Sequence, residues 1–397
     1  MKKFIYLCGM MLLSLNIMAQ IDLNDRNWNT VLIENFDEGV SYWQWDTLRF
    51  LNQADYSWKA YIGGTIAPSG EHEVYQFGNC QINTTDSTMR LVAYYDSATI
   101  HQNNYFLPKW MWPEYGGNGY PTNDSLFYFS GALEYYKQHY VQNEDERKFR
   151  YGYFEIKCKL PTHQGAFPAF WLHASCDTTG NKYYEEIDIF EYSWWITSPS
   201  NPHINMPELG SKRRYTCGLY FNDTDISYRD HSFARSYPKL PNNSSDLENF
   251  HRFSCEWMPD HVIWYFDGIV MNEYNKMDSI PHRPLRLKTN YAIDGYFDHG
   301  DVIWLGPSEM VIDYIKVYQL EWDCNTDETI TSQADLDNFD FAVKKSVSIT
   351  SIVEEPIVGS NDKTTFRVAD SFEIIGPFEV EQGAEFTVIM QSCPMTN

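Results

Sequence analysis

Seven residues, Glu185-Glu186-Ile187-Asp188-Ile189-Phe190-Glu191, constrain this chain more than any other stretch. They interleave acids with large apolar residues, as a strand does when one face packs in a core and the other meets solvent. Regular alternation fails at the end of the stretch. Glu186 and Asp188 would share a face with Phe190, while Glu191 would point with Ile187 and Ile189 into the apolar side. An unpaired carboxylate there is costly. One extra residue after Asp188, a β-bulge, returns Glu191 to the carboxylate face and sets Glu186, Asp188 and Glu191 in one short row. Bulges of that kind are common beside active sites.

The rest of the chain repeats short alternating runs broken by Gly, Pro, Asn and Asp, with no long helical period. Strands are predicted at residues 30–35, 80–83, 89–95, 151–160, 165–172, 184–192, 215–221, 253–257 and 311–320. Asp267-Gly268 between the apolar runs 262–266 and 269–274 predicts a two-residue type I′ hairpin. Many strands with turn breaks predict an all-β, two-sheet β-jelly-roll sandwich. Residues 102–125, rich in Pro, Gly, Asn and aromatics, read as an ordered loop that shapes a binding site. The polar, acidic residues 323–345 read as a linker. Residues 346–397 read as a small C-terminal β module, with strands at 347–352, 364–368, 372–375 and 386–390.

Residues 1–19 carry Lys2 and Lys3, then a short apolar run ending at Ala19, which reads as a secretory signal peptide. No later segment reads as a membrane span. The expectation is a secreted, periplasmic or cell-surface protein, and a monomer. A net charge of −24, made more negative by loss of the two lysines, argues against nucleic acid as a partner. Of the eight cysteines Cys8 lies in the signal, and no CxxC pair suggests zinc. Export permits disulfides, but the spacing assigns no pairing, and buried thiols are an equal reading. Aromatics are 17% of the chain, which suits an aromatic-lined cleft for sugar rings.

Two carboxyl groups astride a glycosidic bond are what glycoside hydrolysis needs, about 5–5.5 Å apart in the retaining geometry. Crowded acids also divide the work, one held protonated while another stays charged. At this point Glu186-Ile187-Asp188-Ile189-Phe190-Glu191 resembles the active-site signature of family 16 glycoside hydrolases in its bulged form. Four further segments are similar in order: Phe149-Arg150-Tyr151-Gly152-Tyr153-Phe154-Glu155, then Pro168-Ala169-Phe170-Trp171-Leu172, then Glu256-Trp257-Met258-Pro259-Asp260 to Tyr265-Phe266-Asp267-Gly268, and finally Val311-Ile312-Asp313-Tyr314-Ile315-Lys316-Val317-Tyr318-Gln319. The resemblance covers about residues 24–322, making 20–322 a catalytic domain with a concanavalin A-like fold.

That resemblance implies a retaining, endo-acting hydrolase of a β-linked polysaccharide. Glu186 would be the nucleophile, Glu191 the general acid and base, and Asp188 an assisting group. Trp171 would be a sugar platform or a core residue, and Trp257 a core residue. One of Trp194 and Trp195, or Tyr184, would line a subsite. No cofactor is required, but the resemblance implies a structural calcium at Asn35, Gly78 and Asp313, with an amide where relatives carry an acid. The β-1,3-glucanase branch has histidines around a glycine in the strand after the site. Here Tyr215-Thr216-Cys217-Gly218-Leu219-Tyr220-Phe221 has none. A β-1,3 or β-1,3/1,4-glucan therefore stands beside a galactan, the latter with Lys212, Arg213 and Arg214 as sulfate contacts. The competing reading is a carbohydrate-binding jelly roll without catalysis.

Overall fold

The computed structural model describes residues 23, 26–37, 58–60, 73–96, 128–135, 148–176, 182–193, 212–222, 232–293, 306–350, 357–359 and 363–394. The expectations for residues 1–19 and 102–125 fall outside these residues, as do Trp194, Trp195 and the side chain of Tyr184.

The first strands are β1 (Trp28–Glu34), β2 (Trp58–Ala60), β3 (Glu73–Tyr75), β4 (Cys80–Asn83), β5 (Thr88–Tyr95), β6 (Tyr128–Ser130) and β7 (Ala132–Tyr135). Then come β8 (Gly152–Lys159), β9 (Ala166–Cys176), β10 (Lys182–Glu191), β11 (Thr216–Asn222), β12 (Ser232–Ser236) and β13 (His251–Trp257). The domain ends with β14 (Val262–Phe266), β15 (Ile269–Tyr274), β16 (Arg286–Ile293) and β17 (Ser308–Leu320). They form two sheets. One runs β15-β14-β13-β8-β17-β5-β6-β3, with β1 added on β17 and β4 on β5; the other runs β12-β11-β10-β9-β16-β7-β2.

The inward faces of both sheets make one apolar core. Ile187, Ile189 and Phe190 of β10 meet Phe253, Trp257 and Trp264 of the opposite sheet, all fully or almost fully buried. Burial of such side chains is the main stabilising term, at about 1.5–3 kcal/mol each. The hairpin β14–β15 turns at Asp267 (φ 50°) and Gly268 (φ 83°), the left-handed pair that a type I′ turn requires. Cys80, Cys158, Cys217 and Cys255 are buried free thiols, so they pack as small apolar groups.

The linker expected at 323–345 is a correction. Those residues hold β18 (Trp322–Ile330), α1 (Gln333–Asp337) and the start of β19 (Val343–Thr350). Ser332 caps the helix by accepting from the Asp335 N–H, and Leu336 is buried. The polar composition misled because the alternate exposed positions in the second half of β18, Asn325, Asp327 and Thr329, are all polar while the strand ends on the buried Ile330. The module continues through β20 (Ile357–Val358), β21 (Lys363–Ile375), β22 (Glu379–Val380) and β23 (Glu385–Met390). Its strands are parallel, in the order β18-β19-β21-β23 with β20 on β22. Lys363 pairs with Glu385 and Ile357 with Glu379, a step of 22 residues in both cases. The chain therefore winds as a short coil. Phe366 lies 4.9 Å from Phe339 and 5.8 Å from Phe386, stacking successive turns.

The coil packs on the jelly roll. Val343 joins Trp28, Tyr153, Met258, Tyr265 and Leu320 in a buried cluster that also touches Cys324 and Cys393, which form a disulfide. Asn27 Nδ2 donates to the Phe341 carbonyl at 2.7 Å, and Ser392 Oγ to Asp260 at 2.7 Å.

Candidate active site

β10 carries the site on its outward face. Glu186 pairs in register with Tyr220 of β11 and His173 of β9, and Asp188 with Gly218 and Trp171. The ladder then shifts. Glu191 stands opposite Thr216 and Ala169, so β10 has one more residue than either neighbour between Asp188 and Glu191. The extra residue reverses the facing of the strand's last two side chains. Phe190 drops into the core, 4.5 Å from Phe253, and Glu191 joins the acids outside. Glu185, on the core side, is almost fully buried and is neutralised by Arg283, whose Nη1 donates at 2.7 Å.

A second residue secures the bulge from beneath. Trp264 of β14 is fully buried, and its indole Nε1 crosses the core to donate to the Asp188 carbonyl at 2.8 Å. Beyond the bulge, the Tyr192 N–H donates to the Pro168 carbonyl at 3.0 Å. A buried carbonyl needs such a donor, because a lost partner costs about 1–3 kcal/mol.

The electrostatics separate the three acids. Asp188 is only 3% exposed. Its burial, then the charges of Glu191 and Glu186, push its carboxyl well above the usual range, against the pull of Arg235. Asp188 thus keeps its proton where ordinary carboxyls have lost theirs. Glu191 meets Arg235 of β12, with Nη2 at 3.2 Å from Oε2, and Thr216 Oγ1 lies 3.4 Å from the same oxygen. Tyr220 accepts from the same Arg235 nitrogen at 2.8 Å.

On the other flank Trp171 is mostly buried, with its indole N–H donated to Asn290 at 2.8 Å. The Lys288 ammonium lies 4.7 Å from its ring centre and 3.5 Å from His173 Nδ1. Burial lowers the pKa of both His173 and Lys288. Trp257 is core, donating to the Pro281 carbonyl at 2.9 Å.

Residues 122–316 match the sequence profile of glycosyl hydrolases family 16. Those residues belong to that family. The chain is 28% identical over 173 residues to the endo-1,3-1,4-beta-glycanase EglC of Rhizobium meliloti (strain 1021), covering 44% of this chain and 31% of that one. It is 25% identical over 304 residues to the endo-1,3-1,4-beta-glycanase ExsH of the same organism, covering 75% and 51%. The catalytic domain of an endo-1,3-beta-glucanase (laminarinase) from Thermotoga petrophila RKU-1 superposes with a TM-score of 0.49 at 22% identity, covering 74% of this chain and 98% of that one. The chain spans about a third to a half of the length of the two curated relatives.

The other positions predicted in this chain fall elsewhere. Lys212 pairs with Glu248 at 2.6 Å. Arg213 donates to the carbonyls of Ser244 and Pro241, and Arg214 to that of Tyr237. All three bind the 237–248 segment, so they serve structure there. The calcium positions do not fit a cation. Lys157 Nζ sits 2.6 Å from the Asp313 carboxylate, and the Gly78 carbonyl accepts from Gln81 at 2.9 Å. Asn35 is exposed, and its acidic neighbour Glu34 accepts from the Phe36 N–H. Among the described residues no group of three or more metal-ligating side chains converges. Sequence reasoning missed Arg235, Lys288, His173 and Trp264. None of the four has a local sequence signal, because each reaches the acid row or its flank from another strand.

Proposed function

We propose that this chain is a retaining, endo-acting glycoside hydrolase that cleaves a β-linked glucan through a covalent glycosyl-enzyme. One observation carries the reading: the bulge in β10 puts Glu186, Asp188 and Glu191 on one face, where burial and its two acidic neighbours push the middle carboxyl up. A protein that only binds sugar has no need of that arrangement. In the first step the Glu186 carboxylate attacks the anomeric carbon. Glu191 gives its proton to the departing oxygen, so the glycosidic bond breaks as the ester forms. In the second step Glu191, now ionised, takes a proton from water. The water oxygen attacks the same carbon and frees Glu186. With Asp188 protonated, the row carries one negative charge at each stage, on Glu186 before the attack and on Glu191 after it. Each inversion at carbon reverses the other, so the β configuration is retained.

The names of the relatives favour a glucan with 1,3 or mixed 1,3 and 1,4 links as substrate. The galactan alternative rests on the histidine-free strand 215–221; of its expected sulfate contacts, Lys212, Arg213 and Arg214 are engaged with the 237–248 segment. Export by residues 1–19 completes the proposal, since a polysaccharide is met outside the cell. Among the described residues no helix is long and apolar enough to cross a membrane.

The test is a panel of mixed-linkage glucan, laminarin, agarose, porphyran and carrageenan, with product sizing and the anomer followed by NMR. The expected result is early release of oligosaccharides as the β anomer. Glu186→Gln should still bind the polysaccharide and lose turnover by ~10³-fold or more. Early monosaccharide alone, an α-anomeric first product, or near-normal turnover in Glu186→Gln would each sink the reading.

A further inference from the structure

Arg235 lies outside the five short segments that resemble the family's motifs, yet among the described residues it is the cation in contact with Glu191. We propose that Arg235 is a positioning residue for the reaction, holding one edge of the Glu191 carboxylate so that the other oxygen faces the scissile bond. The inference rests on the retaining reading above.

The geometry is one-sided. Arg235 Nη2 and Thr216 Oγ1 both reach Oε2 of Glu191, at 3.2 and 3.4 Å. Among the described residues Oε1 has no hydrogen-bond partner, so it is the oxygen that can carry the proton to the leaving group. Arg235 is itself fixed, since the same Nη2 donates to Tyr220 at 2.8 Å and its guanidinium lies 5.9 Å from that ring centre.

Its approach depends on a glycine. Gly218 pairs with Asp188 on one side and Arg235 on the other. A Cβ at Gly218 would stand 2.4 Å from the Ala234 carbonyl oxygen and 3.0 Å from the Arg235 Cα. Only the missing side chain lets β12 come close enough to bring an arginine to the acid row.

The charges around the pair are Asp188 and Glu186 on β10, with Tyr220 and Cys217 on β11 and Tyr237 beyond β12. Burial opposes a charge on Arg235, but Glu191 first, then Tyr220 and Asp188, keep the guanidinium protonated. Arg235 therefore does two things at one oxygen. It orients the carboxyl, and it stabilises the ionised form that serves as base in the second step. Both roles concern the leaving group and the water, not the attack by Glu186.

That separation defines the experiment. Arg235→Gln and Arg235→Lys are compared with the wild-type enzyme on two substrates. One is the polysaccharide; the other is the dinitrophenyl glycoside of a released oligosaccharide, whose leaving group needs no proton. Arg235→Gln should lower kcat/KM on the polysaccharide by ~10²-fold, the scale of a misplaced catalytic group. On the dinitrophenyl glycoside kcat/KM should barely change. The basic limb of the kcat/KM profile should move upward, because the cation no longer opposes protonation of the acid row. Arg235→Lys should recover much of the polysaccharide activity and restore the limb.

Thr216→Val, which removes the other donor to Oε2, should give a smaller loss with the same substrate preference. Equal losses on both substrates, an unmoved basic limb, or a lysine variant no better than glutamine would overturn the inference, provided the variants melt like the parent. A wild-type enzyme inactive on the whole panel would instead sink the proposed function, so the two failures are distinct.

Discussion

Replacing Trp264 by Phe tests whether the bulge, rather than the acids alone, makes the site. The indole is fully buried and is the donor to the Asp188 carbonyl from the opposite sheet. Phenylalanine keeps a ring in the core but removes the N–H. Loss of that donor to a buried carbonyl costs about 1–3 kcal/mol. The smaller ring leaves roughly 40 Å³, which at ~24 cal/mol per Å³ adds about 1 kcal/mol. The sum is ~2–4 kcal/mol. With an m-value of about 3 kcal/mol/M, the urea midpoint should fall by ~1 M. Activity should suffer more than stability explains. Asp188 and Glu191 flank the bulge, and a shift of about 1 Å there costs ~10²-fold in rate.

Trp257→Phe is the matched control. Trp257 is equally buried in the same sheet, and its indole donates to the Pro281 carbonyl instead. It should lose similar stability but keep kcat/KM at 25 °C. Urea melts by tryptophan-independent circular dichroism, with initial rates in native buffer, give both quantities. Equal activity in the two variants would refute the claim that Trp264 sets the geometry of the acid row.

Two further outcomes concern the junction with the coil. His261 lies 2.8 Å from Asp260 and 3.7 Å from Glu256, and despite burial these bonds push it up to about 9. A raised histidine stabilises the fold fully below the unfolded value near 6.5, and that contribution is lost as pH rises to about 9. Melting temperature should therefore decline between those limits, and His261→Gln should flatten the decline in a scanning-calorimetry pH series; a parallel curve would refute the pairing. The Cys324–Cys393 disulfide closes a separation of 69 residues, for which chain entropy predicts ~4 kcal/mol. The double alanine variant should show an earlier calorimetric transition for the coil with unchanged activity at 25 °C, and an unaltered thermogram would contradict that.

Local rules made much of this protein legible. Asp267-Gly268 named its own hairpin because only a pair of left-handed residues joins two twisted strands so tightly. The three acids were legible because period-two alternation leaves a charged residue in an apolar core unless the strand bulges. What failed depended on partners distant in sequence. Arg235 meets Glu191 across two strand pairings, and Trp264 reaches Asp188 across the core. Neither has a local signature. Residues 323–345 were misread for a different reason. Parallel strands bury one side against successive turns, and polar residues on the outer side gave the composition of a linker. The residues 364–368 and 372–375, read as two strands, are one strand whose halves pair with different neighbours.

The direct passage from β17 into β18 has a mechanical consequence. Only Glu321 separates the last strand of the jelly roll from the first strand of the coil, and its carbonyl accepts from the Val343 N–H. The N-terminal strand is drawn in as well, since Trp28 packs in the shared cluster and the Arg367 guanidinium lies 5.5 Å from its ring centre. A domain on a flexible leash sweeps a volume set by the leash. This one sits on a bracket. With the coil fastened to a surface, the acid row of β10 would hold a single orientation to that surface.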